Sequence, residues 1–302
     1  VTDSNGDVAT LETPFTVVLL LDVSNSTQFK IDEIQDAAIT FIDQLRINDR
    51  VMVVSFDEKI KILAQPTSNR VVLRDAIRQI NFGGGTSLYE AVSYSINQEL
   101  SKISGRKAIV LFTDGVDTTS KRATYQSTVR EAEELDAMIY PIRFDTSFDM
   151  NGGSTSSRNP SPRRSGGSVL GQILGAIITG GSVSVGGGGS GTSPGEYEKG
   201  KKYLDELATV SGGRHFEART IGNLDAAFSG IAEELRRQYA IGYYPETVGQ
   251  KGQRKNVKVR VDRSNAVVRN KNSYIVGAET ANNTTARQPV KTAPRPTSRL
   301  PF

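Results

Sequence analysis

Across 302 residues the chain has no cysteine and only one histidine, His215. Without thiols it can form neither a disulfide nor a thiolate metal site, which fits a reducing compartment or an exported protein that does without bridges. The lone histidine sits beside the Gly212-Gly213 turn. A Ser–His–Asp triad would therefore have one possible base, and no Gly-x-Ser-x-Gly elbow is present to offer its nucleophile. No Gly-Lys-Ser/Thr follows the glycines at 83–85, and no Gly-x-Gly-x-x-Gly follows the first apolar run, so neither a P-loop nor a dinucleotide fingerprint is present. No stretch reaches the roughly 18 apolar residues that a spanning helix needs. Nothing at Val1 resembles a signal peptide and the initiator methionine is missing, so a processed or trimmed chain is expected.

What is present is a soluble-type composition, 37% apolar and 23% charged. Its net charge of +4 conceals an asymmetry. Residues 1–150 carry 15 basic and 22 acidic side chains, whereas residues 151–302 carry 22 basic and 11 acidic. From Lys251 onward 12 basic residues face only Asp262 and Glu279. These charges are dispersed with little aromatic interleaving, which argues for a solvated, weakly adhesive tail over a nucleic-acid footprint.

Apolar runs at Val17–Leu21 and Ala108–Phe112, separated by helical patterns, read as buried parallel strands. Each is followed by a polar motif, Asp22-Val-Ser24-Asn-Ser26 and Thr113-Asp114-Gly115, and a Gly83-Gly-Gly-Thr86 turn lies between them. In an open α/β sheet ligands gather beyond the carboxyl ends of the strands, which places these motifs together. Extended backbone after the first strand would turn Asp22, Ser24 and Ser26 to one side. Ser24 or Ser26 could merely cap a helix and Asp114-Gly115 could be an ordinary turn. All three fragments in order favour the alternative, in which Asp22, Ser24, Ser26, Thr86 and Asp114 form an all-oxygen set for a hard cation, Mg²⁺ first and Mn²⁺ or Ca²⁺ next.

The remaining pattern completes an α/β alternation. Helices are expected over Ile31–Leu45, Asn69–Ile80, Leu88–Ile103 (capped by Thr86 or Ser87), Ala123–Leu135, Tyr197–Val210 and Leu224–Arg237. Further strands are expected at Arg50–Phe56, Met138–Phe144 and Arg214–Glu217, with Lys59–Leu63 as a short edge strand. Gln238–Tyr244 and Asn256–Asp262 alternate like a hairpin at the sheet edge. Residues 145–195 are dominated by Gly, Ser, Asn and Pro, too polar to offset the entropy of ordering apart from one short helical pattern at Val169–Ile178.

The combination Asp-x-Ser-x-Ser, Gly-Gly-Thr and Thr-Asp-Gly is similar to the metal-ion-dependent adhesion site of von Willebrand factor type A domains, and all five positions match. The segments Ala208–Phe216 and Tyr239–Pro245 further resemble a secreted bacterial branch of that family, notably from Acidobacteria. The resemblance implies a doubly wound, mostly parallel central sheet with helices on both faces, Rossmann-like, over residues 14–245 with the insertion at 145–195. Residues 1–13 would be a lead, 246–278 a short C-terminal β extension and 279–302 a disordered tail. It also implies that the Ser24, Ser26 and Thr86 hydroxyls ligate the metal, that Asp22 and Asp114 act directly or through water, and that a partner protein's Asp or Glu completes the shell. A secreted, cell-surface or periplasmic location follows from the same likeness.

The expected function is thus a metal-dependent protein-binding module, with no catalytic residues. The enzyme rival is Mg²⁺-dependent phosphoryl transfer with Asp22 as nucleophile. It is weakened because Ser24 stands two residues on, where a carboxylic general acid would be needed.

Overall fold

The computed structural model describes residues 14–24, 31–144, 193–218, 221–238, 249–262 and 267–277, with the single positions 247 and 264. Strands β1 (Thr16–Asp22), β2 (Arg50–Phe56), β3 (Ile60–Thr67), β4 (Lys107–Thr113), β5 (Met138–Phe144) and β6 (Phe216–Ala218) form one sheet in the order β3-β2-β1-β4-β5-β6. Only β3 is antiparallel. The chain steps outward from β1 through β2 to β3, then crosses to β4 on the other side. The topological switch point therefore lies between β1 and β4, where such sheets bind ligands.

β1 and β4 are buried at every position, the mark of strands covered on both faces. The pleat divides their side chains. Val17, Leu19 and Leu21 join the core beneath α1 (Ile31–Gln44), α2 (Arg70–Arg78) and α6 (Ile221–Arg236). Val18 and Leu20 join the opposite core beneath α3 (Leu88–Tyr94), α4 (Tyr125–Glu134) and α5 (Pro194–Ser211). Fully burying one such side chain contributes about 1.5–3 kcal/mol, so the two aliphatic layers are the main stabilising element. Within α1, Ile34, Ala38, Phe41 and Ile42 supply the buried stripe, and Phe41 meets Phe228 of α6 with ring centroids 5.1 Å apart.

Several expectations are corrected. The Leu88–Ile103 helix is three pieces: α3 passes into a π turn over Ser95–Glu99 and a 3₁₀ turn over Leu100–Lys102. Ser87 makes no side-chain cap to α3. That role falls to residues some thirty positions away, because Asp117 Oδ1 accepts from the Tyr89 N–H at 3.1 Å and Ser120 Oγ from the Glu90 N–H at 3.1 Å. The edge strand β3 runs to Thr67, well past Leu63. Helix α5 starts at Pro194, with Ser193 and Glu196 forming a reciprocal capping box, and stops at Gly212, whose φ of 81° needs a residue without a Cβ. Asn256–Asp262 is not a strand. The C-terminal extension is instead a small separate sheet in which β7 (Arg254–Asn256) pairs with β8 (Ser273–Ile275). It docks on the end of α4, where Ser273 Oγ donates to Glu133 Oε1 at 2.6 Å and Lys271 Nζ to the Leu135 carbonyl at 2.8 Å. Gln238–Tyr244 as a strand, Val169–Ile178, Tyr239–Pro245 and the segments 1–13, 145–192 and 279–302 fall wholly or largely outside the described residues.

Candidate metal centre

At the carboxyl end of β1 the backbone carries Asp22 from the sheet into a loop tied down at each step. Val23 N–H donates to the Phe56 carbonyl of β2 at 2.9 Å, and the Val23 carbonyl accepts from Gly83 N–H at 3.1 Å. The second bond draws the glycine turn against β1. A Cβ on Gly83 would lie 2.0 Å from Asp57 Oδ2, so the turn owes its position to a residue with no side chain. From there Thr86 is fastened to the loop after β4. Its N–H donates to Thr118 Oγ1 at 2.8 Å, and its carbonyl accepts from the N–H groups of Thr118 and Thr119 at 2.8 and 3.0 Å.

Asp22 is the hub. Its Oδ1 accepts from Ser24 N–H at 3.0 Å, and its Oδ2 accepts from Thr113 Oγ1 at 2.6 Å, joining β1 to β4. The same Thr113 hydroxyl accepts from Gly115 N–H at 3.0 Å, and Asp114 Oδ1 accepts from Val116 N–H at 3.0 Å. Thr113 is thus a positioning residue for Asp22 and for the loop that carries Asp114. Its signal in the sequence is a hydroxyl that ends a buried strand beside an acid.

Asp22, Ser24, Thr86 and Asp114 are all buried, none more than 5% exposed. Burial first, and the neighbouring Asp114 charge second, push the Asp22 carboxyl up to about 7, while hydrogen bonds from Thr113 and Ser24 pull the other way. The geometry therefore joins the three motifs into one network at the switch point. Ser26 lies outside the described residues. Among the described residues no group of three or more His, Cys, Asp or Glu side chains is gathered to hold a metal. What is gathered is a carboxylate pair with hydroxyls, an all-oxygen environment. His215 stands elsewhere, with Nδ1 2.5 Å from Asp205 Oδ1.

Residues 17–116 match the family model of the von Willebrand factor type A domain. An uncharacterised protein of Synechocystis sp. is 31% identical over 106 residues, which are 34% of this chain and 25% of that protein; the chain thus spans about a quarter of the length of this curated relative. Among solved structures, a von Willebrand factor type A protein from Catenulispora acidiphila superposes with a TM-score of 0.50 at 15% identity, over 74% of this chain and 43% of the other. The vWF domain of the type V pili tip protein Mfa5 from Porphyromonas gingivalis gives 0.50 at 13% identity, over 78% of this chain and 99% of the other. A D319A mutant of the PilB minor pilin from Streptococcus sanguinis gives 0.51 at 12% identity, over 76% and 63%. The matched segment runs from β1 through β4, so residues 17–116 are similar to a von Willebrand factor type A domain, and the solved structures share the α/β fold.

Proposed function

We propose that the chain is a metal-ion-dependent protein-binding module, and that Asp22, Ser24, Ser26, Thr86 and Asp114 hold Mg²⁺, with Mn²⁺ or Ca²⁺ as substitutes. The observation that carries this reading is the burial of Asp22 beside Asp114, with its carboxyl pushed up to about 7. Two carboxylates in a desolvated pocket repel each other, and a hard divalent cation among oxygen donors would offset that cost. When bound, the ion would supply a Lewis-acidic position for an Asp or Glu of a partner protein. The chain's own residues do the rest: Thr113 and the Ser24 N–H aim Asp22, the Thr118–Thr86 bonds hold the third segment, and Gly83 lets it approach.

A role in adhesion or assembly outside the cell, on or released from a bacterial surface, is supported by the pilus proteins among the structural relatives. Phosphoryl transfer draws less support, because both oxygens of Asp22 already accept hydrogen bonds that fix it as a ligand-like acceptor.

Calorimetric titration of the full chain with Mg²⁺ tests the reading. Binding should be lost in Asp22→Ala and weakened at least about tenfold in Thr86→Ala, with far-UV circular dichroism unchanged in both. Undiminished Mg²⁺ affinity in Asp22→Ala would overturn the site, and Mg²⁺-dependent turnover of a phosphoester would move the protein to the enzyme class.

A further inference from the structure

The opposite end of the sheet carries a feature that the metal centre does not use. β1, β2 and β4 start in register there, with Thr16 beside Arg50 and Lys107. β3 runs antiparallel and returns the chain to this end, where α2 starts. The connection from α1 to β2 projects as a turn over residues 46–50. Asp49 fixes it from inside, accepting from Phe15 N–H at 2.8 Å and Arg46 N–H at 3.0 Å.

Around this turn lie Arg46, Arg50, Arg70, Arg106 and Arg236. Arg46 Nη2 donates to the Arg236 carbonyl at 3.1 Å, Arg70 Nη2 to the Arg46 carbonyl at 2.7 Å, and Arg50 Nη2 to Thr16 Oγ1 at 3.2 Å. Arg106 lies 4.1 Å over the Phe15 ring and donates to the carbonyls of Leu235 and Gln238. Arg46, Arg50 and Arg70 thus bond to neutral oxygens. The nearby acids are few: Asp49 inside the turn, which faces Arg70 and Arg106, Asp43, bonded to Arg74 and close to Arg70, and Glu233, paired with Arg236 and Arg237. Positive charge at this end is in excess.

Exposed apolar side chains stand on this turn and on the start of α2. Ile47, at the tip of the turn, is 85% exposed, and Val71 and Val72, in the first turn of α2 beside Arg70, are 62% and 47% exposed. Val267 and Val268, 80% and 38% exposed, precede Arg269, whose Nη1 donates to Glu234 on the last turns of α6 at 2.8 Å. A single exposed aliphatic residue is ordinary on a soluble protein, but three of the seven large ones among the described residues stand on this turn and the start of α2, next in sequence to Arg46 and Arg70.

We infer that this amino-terminal end of the sheet is a docking surface for an anionic lipid bilayer. Guanidinium groups suit phosphate headgroups by their planar fork of donors. Aliphatic tips interleaved with them reach the headgroup boundary, as interfacial segments do. An acidic protein would match the charge but would leave the exposed valines and isoleucine without an apolar partner. So docked, the molecule would point its metal centre away from the membrane.

The test is sedimentation of the full chain with vesicles of phosphatidylglycerol and phosphatidylcholine, against phosphatidylcholine alone. Binding should require phosphatidylglycerol and weaken with salt. Arg46→Gln with Arg50→Gln should reduce it at least about tenfold, whereas Lys121→Gln, a charge removed at the other end, should not. Ile47→Ser with Val71→Ser should reduce it about fivefold, and these exposed positions leave folding intact. Absence of vesicle binding, or binding unchanged in both double variants, would overturn the inference. Charge dependence without any effect of Ile47→Ser with Val71→Ser would also overturn it, in favour of an acidic protein or soluble polyanion. None of these outcomes depends on Mg²⁺, so the surface and the metal centre fail or stand separately.

Discussion

The two ends of the sheet use charge in opposite ways. At the carboxyl end, Asp22 and Asp114 are buried at 1% and 3% exposure, held by the Thr113 hydroxyl and the Val116 N–H respectively. At the amino end, Arg46 and Arg50 are exposed and their charges remain hydrated. Burying an ionised group costs several kcal/mol even after relaxation, whereas a surface charge costs almost nothing. The buried acids of the carboxyl end should therefore be coupled to fold stability, and the exposed Arg46 and Arg50 of the amino end should not. That contrast can be broken in three ways.

The largest effect is expected where a helix closes on the site loop. Gly200 of α5 packs against Gly115, and a Cβ on Gly200 would lie 2.5 Å from the Gly115 carbonyl oxygen. Alanine is normally better than glycine in a helix, by about 1 kcal/mol. Here the backbone of the 113–116 loop must move instead, so Gly200→Ala should destabilise the domain by about 2–3 kcal/mol in urea unfolding and weaken Mg²⁺ binding as well. A variant more stable than the parent would show that α5 does not press on the site.

The fold was largely legible in the sequence where burial dictated pattern. Val17–Leu21 and Ala108–Phe112 have continuous apolar runs because both of their faces are covered, and two of the three motifs follow from their places after those strands. Long-range partners were not legible. Nothing within Ser87–Glu90 shows that Asp117 and Ser120 cap α3, since the donors come from another loop. The alternation of Val257, Val259 and Val261 suggested a strand, yet Val261 is 51% exposed and the ladder runs through Arg254–Asn256 with Ser273–Ile275. Alternation shows that a segment could pair, not with what. The arginine end was invisible for the same reason: residues 46, 50, 70, 106 and 236 become neighbours only through strand order.

An intermediate effect tests the charge at Asp22 directly. With its carboxyl raised from 3.8 to about 7, the folded state binds a proton more tightly than the unfolded chain. Its contribution is fully favourable below about pH 4 and is lost as pH rises through 7, so the metal-free domain should lose stability across that window. Mg²⁺ should restore it, and the gain in melting temperature on adding Mg²⁺ should be larger at pH 8 than at pH 5. Asp22→Asn keeps an acceptor for the Thr113 hydroxyl or the Ser24 N–H while removing the charge. At pH 8 without metal it should be more stable than the parent, by about 1–3 kcal/mol, and should not respond to Mg²⁺. If Asp22→Asn is destabilised at pH 8, or if the parent melts independently of pH between 5 and 8, the buried charge is not what governs this end.

The smallest effect is the sharpest statement about the amino end. Ile47 is 85% exposed at the tip of a turn whose shape is set by the Asp49 bonds to Phe15 and Arg46, not by the isoleucine. Replacing it with serine removes little buried area, so unfolding free energy should change by less than about 0.5 kcal/mol. Asp49→Ala should differ sharply, because it leaves the buried Phe15 N–H and the part-buried Arg46 N–H without their acceptor and should cost about 2 kcal/mol or more. The pair separates support from contact within one turn. If Ile47→Ser destabilises as much as Asp49→Ala, the isoleucine packs within the domain and the amino end is coupled to the fold like the carboxyl end. If Ile47→Ser is silent in unfolding, the tip side chain can be altered without disturbing the sheet beneath, whereas no residue of the buried acid network can be altered so freely.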